Sequence, residues 1–104
     1  MKASEVLIAA RKLIENPKLW GKGTHFGLVP APMMCAAQAI DMANTGRVEC
    51  CVYFALATGC HWAQVSSWND APERTHAEVL AAFDRAIALA TTAEANQGSE
   101  GTDG

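Results

Sequence analysis

A thiol, a histidine and a carboxamide are the residues with which covalent chemistry would begin in this chain. Cys35 lies near the start of an apolar stretch that reads as a helix, where the helix dipole lowers a thiol pKa and favours the thiolate. His61 would act as base, with His25 and His76 as the other imidazoles, and Asn69 or Asp70 would orient it. Cysteine hydrolases that use a Cys–His–Asn order place the partners ~130–150 residues apart on a two-part fold. A chain of 104 residues cannot build that fold. Cys35, inside Met-Met-Cys-Ala-Ala, reads better as a small buried hydrophobe. A hydrolase using Cys35, His61 and Asn69 is therefore the alternative reading.

Metal binding fares no better. Zinc sites pair cysteines two to four residues apart, whereas Cys50-Cys51 and Cys60-His61 are directly adjacent. No metal and no cofactor are expected. The Gly21–Gly27 stretch has no strand before it and no Gly-Lys-Ser/Thr ending, so it does not read as a phosphate cradle. The adjacent thiols of Cys50 and Cys51 diverge on any regular backbone and are poorly placed to pair. All four cysteines read as reduced, structural thiols.

Composition narrows the classes further. Half of the 104 residues are hydrophobic and 18% are charged, enough apolar content for one domain with a buried core. Abundant alanine favours closely packed helices. The net charge of −3 is matched by Glu94, Glu100 and Asp103 near the C-terminus, while residues 1–22 lean basic. Nucleic acid is not an expected partner, because no dense basic stripe is present. The apolar run Cys50–Ala57 is too short to cross a bilayer, and Met1–Glu5 does not read as a signal peptide, so no membrane is expected and the location is cytoplasmic.

The elements that must position any site are helical. Val6, Leu7, Ala10, Leu13 and Ile14 share one face of a first helix, Ser4–Asn16, capped by Ser4 and ended by Pro17. Pro30-Ala31-Pro32 opens a second helix, Met33–Ala43, and Asn44-Thr45-Gly46 stops it. Residues 47–58 fit a helix ending at Gly59, with a strand as the competing reading. Cys60–Trp68 reads as an extended or looping connector. Thr75-x-x-Glu78 is a capping box that opens the last helix, whose inner face is Val79, Leu80, Phe83, Ala86, Ile87 and Ala90. The polar, glycine-containing residues 96–104 read as a disordered acidic tail, and a chain ending at Ala93 is expected to be equally stable. The expectation is an all-α, compact four-helix domain over residues 1–95, with one long glycine-rich loop.

The stretch Ser67–His76 supplies local structure before anything else. Thr75 caps, Asp70 and Glu73 sit near the positive end of a helix dipole, and Asn69-Asp70 form a turn before Pro72. Arg74 is expected to fork onto Asp70 or onto backbone carbonyls.

Trp68-Asn69-Asp70, Pro72 and Arg74-Thr75, followed by Glu78-Val79-Leu80, also resemble the motif W-N-D-x-P-x-R-T of a family of small uncharacterised bacterial and phage proteins. The first helix, Trp20-Gly21 and Cys35–Ile40 correspond as well, so the resemblance covers most of residues 3–93. It implies an architecture and a phage or bacterial setting, and it implies no reaction. The expected role is a small phage- or prophage-type accessory protein that binds a protein partner, including one from a host defence system. Trp20, Phe26, Trp62, Trp68, Asp70 and Arg74 are the candidate binding residues, since tryptophan and arginine are enriched at interface hot spots. A homo-oligomer holding a small ligand between helices is the competing class.

Overall fold

The computed structural model describes the backbone of residues 2–22, 33–43 and 48–103, and the side chains of 2–22, 33–43 and 49–96. The described residues form five α-helices: α1 (Ala3–Leu13), α2 (Ala36–Ala43), α3 (Val48–Thr58), α4 (Val65–Asn69) and α5 (His76–Asp103). Short 3₁₀ turns stand at Pro17–Leu19 and Trp62–Gln64. The all-α expectation holds, with one helix more than the four expected. Most of the glycine-rich loop, Phe26 and His25 within it, the Pro30–Pro32 helix entry and the Asn44–Gly46 stop lie outside the described residues.

Helix α1 begins at Ala3, not at a Ser4 cap. The Lys2 amide donates to Glu5 Oε1 at 2.8 Å, as in half of a capping box. Ser4 sits inside the first turn, where both its amide (3.1 Å) and its hydroxyl (2.6 Å) donate to the carboxylate of Glu94. Those N–H groups of a first helical turn have no partner within the helix, so a carboxylate from elsewhere fits there electrostatically. The helix stops at Leu13, and Asn16 caps the turn that Pro17 opens by accepting from the Lys18 amide at 2.9 Å.

Val6, Leu7, Ala10 and Ile14 of the first segment meet Ala36, Ala39 and Ile40 of α2, Phe54 of α3, and Val79, Phe83, Ala86 and Ala90 of α5 in one core. Phe54 packs edge-on against Phe83 at 4.8 Å and against Trp68 at 5.3 Å between ring centroids, the geometry aromatic quadrupoles prefer. Helix α3 settles the helix-or-strand choice for residues 48–58 as a helix. Gly59 follows it at φ +82, the left-handed position that glycine takes without strain, and its amide reaches the Ala55 carbonyl at 2.7 Å.

Three further expectations change. Met33 and Met34 precede α2 as extended chain: Met34 pairs with the Leu19–Gly21 backbone in an isolated parallel bridge. Residues 60–68, read as a connector, contain a 3₁₀ turn and all but the last residue of α4, which is held by burial of Val65 and Asn69. The backbone expected to be disordered from Asn96 stays helical to Asp103. Residues 91–103 contain no proline, and adding a residue to an existing helix is far cheaper than nucleating one. No described helix is long and apolar enough to cross a membrane.

Cys35 and Cys50 are buried, Cys51 and Cys60 half-buried, and all four are free thiols. Burial, then the neighbouring Cys50 and the Asp41 carboxylate, push the Cys51 thiol from the ordinary 9.0 up to about 11. Because the folded state favours the protonated thiol, its contribution to stability is present below pH 9 and is lost between pH 9 and about 11. Alkylation of native protein at neutral pH should therefore be slow at Cys51 and accelerate only in that window. Denatured protein should label at all four cysteines, and rapid native labelling of Cys35 would reopen the hydrolase reading.

Candidate functional site

Helix α4 exists because its ends are tied. His61 caps the preceding 3₁₀ turn, its Nδ1 accepting from the Ala63 amide at 3.2 Å. At the other end Asp70 N–H closes onto the Ser66 carbonyl at 2.9 Å, and Pro72 prevents continuation. That places Asn69 at the last helical position, 0% exposed.

Its carboxamide joins three parts of the chain. Oδ1 accepts from the Trp20 indole at 2.6 Å and from the Ala36 amide, at the start of α2, at 3.0 Å. Nδ2 donates to the Gly21 carbonyl at 3.1 Å and to Asp70 Oδ1 at 3.0 Å. Two acceptor sites and two donors on one short side chain are what an amide alone supplies. No buried side-chain nitrogen or oxygen among the described residues lacks a partner.

The surrounding residues complete the junction. Trp20 lies against the His76 ring at 5.6 Å between centroids. His76 Nε2 is 2.7 Å from the Ile14 carbonyl, which can only accept, so Nε2 carries the hydrogen and donates. Lys22 Nζ donates to the Pro72 carbonyl at 3.0 Å. The Trp20–Lys22 segment is thus docked onto the Trp68–Pro72 turn.

Arg74 takes the backbone alternative foreseen for it. Its Nε donates to the Trp68 carbonyl at 2.9 Å, its guanidinium lies 4.0 Å from the Trp68 ring centroid, and Nη1 approaches Glu78 at 3.4 Å. The capping box is present: the Glu78 amide donates to Thr75 Oγ1 at 3.2 Å and the Thr75 amide to Glu78 Oε1 at 2.9 Å. Those bonds from Thr75, with Arg74 nearby, hold the Glu78 carboxyl below the usual carboxylate range. A depressed folded pKa gives stability above the usual carboxylate pKa that is lost as pH falls through the depressed value. Thr75→Ala should cost about 1 kcal/mol in chemical denaturation at neutral pH, with a smaller difference once Glu78 is protonated in both proteins.

Two of the three catalytic candidates, Cys35 and Asn69, are sealed from solvent, and the third, His61, is exposed. Cys35 is 0% exposed, with its sulfur 3.9 Å from Ser66 Oγ. Asn69 Oδ1 accepts from the amide of Ala36, the residue that follows Cys35, at 3.0 Å. His61 is exposed, uses Nδ1 on Ala63, and tilts over Trp62 at 5.5 Å. Among the described residues no three of His, Cys, Asp and Glu converge as metal ligands.

Of the binding candidates, Trp20 and Trp68 pack against the core, and Trp62 is 46% exposed. Trp68 and Arg74 form one wall of an open cleft of about 240 Å³ that Thr58, Glu78, Ala81 and Arg85 complete. Sequence reasoning did not single out Arg85. The available signal was the spacing of Glu78, Ala81 and Arg85, three and four residues apart and opposite the buried face.

A family model matches residues 1–89, from α1 through the body of α5. The chain belongs to DUF6197, a family of unknown function. No curated protein and no solved structure matches it. The DUF6197 match includes both Trp20-Gly21 and the Trp68–Thr75 motif, the two segments that Asn69 joins. Glu94, which anchors the start of α1, lies beyond the matched region of this DUF6197 chain.

Proposed function

We propose that this protein acts by binding a protein partner, and that the cleft beside Trp68 and Arg74 is where it does so. One observation carries the reading: two of the three groups that would perform catalysis, Cys35 and Asn69, are used inside the fold. The Asn69 carboxamide makes four internal bonds, and Cys35 is sealed from solvent. At the cleft, by contrast, an arginine stacked on a tryptophan stands at an open surface, the pairing of residue types most enriched in interface hot spots. The resemblance to bacterial and phage proteins makes a bacterial host protein, including one from a defence system, the partner class we propose.

The test is affinity capture from bacterial extract with the full chain, Cys35→Ser and Ala81→Glu. Ala81 is exposed and lines the cleft, and glutamate is a good helix former, so Ala81→Glu obstructs the cleft without removing an internal bond. One protein retained by the parent and by Cys35→Ser, and lost with Ala81→Glu, is expected. Hydrolytic activity abolished by Cys35→Ser would overturn the proposal.

A further inference from the structure

The cleft does not end at Arg85. A second open groove of about 360 Å³ begins at the same residue and runs between Leu56 and Ala57 of α3 and Ala88, Leu89 and Thr92 of α5. Leu56 is 66% and Leu89 42% exposed, so two large apolar side chains form the groove walls over an alanine floor. From Glu78 to Thr92 the joined surface follows α5 for roughly 21 Å, the length of about four turns of a second helix. Small residues along such a floor let another helix approach closely.

Charge decides what kind of helix fits. Arg74 has Glu78 beside it, but among the described residues Arg85 bonds only the Ala57 carbonyl, at 3.2 Å, and no carboxylate pairs with it. An unbalanced guanidinium thus stands where the polar cleft meets the apolar groove, in a chain whose net charge is −3. A second copy related by a two-fold axis through this point would set Arg85 against Arg85, a repulsive arrangement.

Resting on the binding reading above, we propose that the groove takes an acidic amphipathic helix of a partner protein. Apolar side chains of that helix, spaced three or four residues apart, enter between Leu56 and Leu89, and an Asp or Glu one turn away meets Arg85.

The test selects helix-forming 16-residue peptides (about the length of the joined surface) from a random display library on the immobilised full chain. Enriched sequences are expected to combine an apolar i, i+3 or i+4 pair with a carboxylate. Leu89→Glu and Leu56→Gln should each weaken them roughly tenfold or more, the loss typical of a hot-spot residue, while Trp62→Ala should not. Arg85→Glu should weaken them and then be rescued by peptides whose acidic residue is exchanged for Lys. Circular dichroism verifies that each variant is folded. Peptides that are basic, or that retain full affinity for Leu89→Glu and Arg85→Glu, overturn the groove proposal and leave the binding reading standing. Enrichment of no sequence overturns both. A dimer in light scattering that Leu89→Glu dissociates would put a second copy in the groove and overturn the proposal as well.

Discussion

Asn69→Ala should lose about 3–4 kcal/mol of stability, a large share of the roughly 5–15 kcal/mol that holds a small domain together. The substitution creates a cavity at a 0%-exposed position and leaves three partners unpaired: the half-buried Trp20 indole and the buried Ala36 amide and Gly21 carbonyl. Each orphaned polar group costs on the order of 1–3 kcal/mol, partly relieved where water can enter. Asn69→Asp separates the contributions. A carboxylate keeps the two acceptor bonds from Trp20 and Ala36, but it cannot donate to Gly21 and it faces the Asp70 oxygen that now receives a bond at 3.0 Å. Asn69→Asp should therefore be destabilised at neutral pH and recover part of the loss at acidic pH, where the new carboxyl carries a proton and can donate again. Urea denaturation of parent and both variants at two pH values checks this. An Asn69→Ala variant as stable as the parent would remove the junction as an explanation of the fold and return Asn69 to consideration as a reactive group.

Ending the chain at Ala93 should lower stability by about 1.5–3 kcal/mol, the usual value of hydrogen bonds to a charged group, whereas ending it at Asn96 should cost much less. The boundary between these results is Glu94. Its carboxylate receives the Ser4 amide at 3.1 Å and the Ser4 hydroxyl at 2.6 Å, so removing it leaves the first turn of α1 without its charged acceptor. Glu94→Gln in the full chain should produce most of the same loss, since a neutral amide accepts more weakly at a helix N-terminus. Thermal melts of the two truncations and the point variant are sufficient. Equal melting temperatures for the chains ending at Ala93 and Asn96 would show that Glu94 contributes nothing.

How legible each feature was depends on how far apart its partners lie in sequence. Thr75 and Glu78 are three residues apart, so the motif contains the whole interaction and the capping box is readable directly. The faces of α1 and α5 repeat at helical spacing, and that periodicity identifies Val6, Leu7, Ala10, Val79, Phe83, Ala86 and Ala90 as core. Asn69 reads as a turn-former because its effective partners, Ala36, Gly21 and Trp20, are 33 to 49 residues away. Helix α4 is invisible locally: Val-Ser-Ser-Trp-Asn is short and made of indifferent helix formers, and tertiary contacts hold it. Glu94 looks like one acid of a polar tail because Ser4 is 90 residues distant. The cleft was half-read. Trp68 and Arg74 stood out by residue type, but Leu56, Arg85 and Leu89 become a surface only when α3 lies beside α5.

Helix α1 is fastened to α5 at three heights: Ser4 to Glu94, Arg11 to Asp84 at 2.8 Å, and the Ile14 carbonyl to His76. The members of these pairs are 90, 73 and 62 residues apart, so each attachment forms only after the long segment between its ends has been made. Until α5 has emerged, the apolar stripe of α1 can pack against α2, where Ala36, Ala39 and Ile40 meet it, but the part that α5 covers stays exposed. Closing loops of that size is also a slow step for a small helical domain. A chaperone that shields short amphipathic segments would therefore act on this protein chiefly at α1, and chiefly before synthesis reaches Glu94.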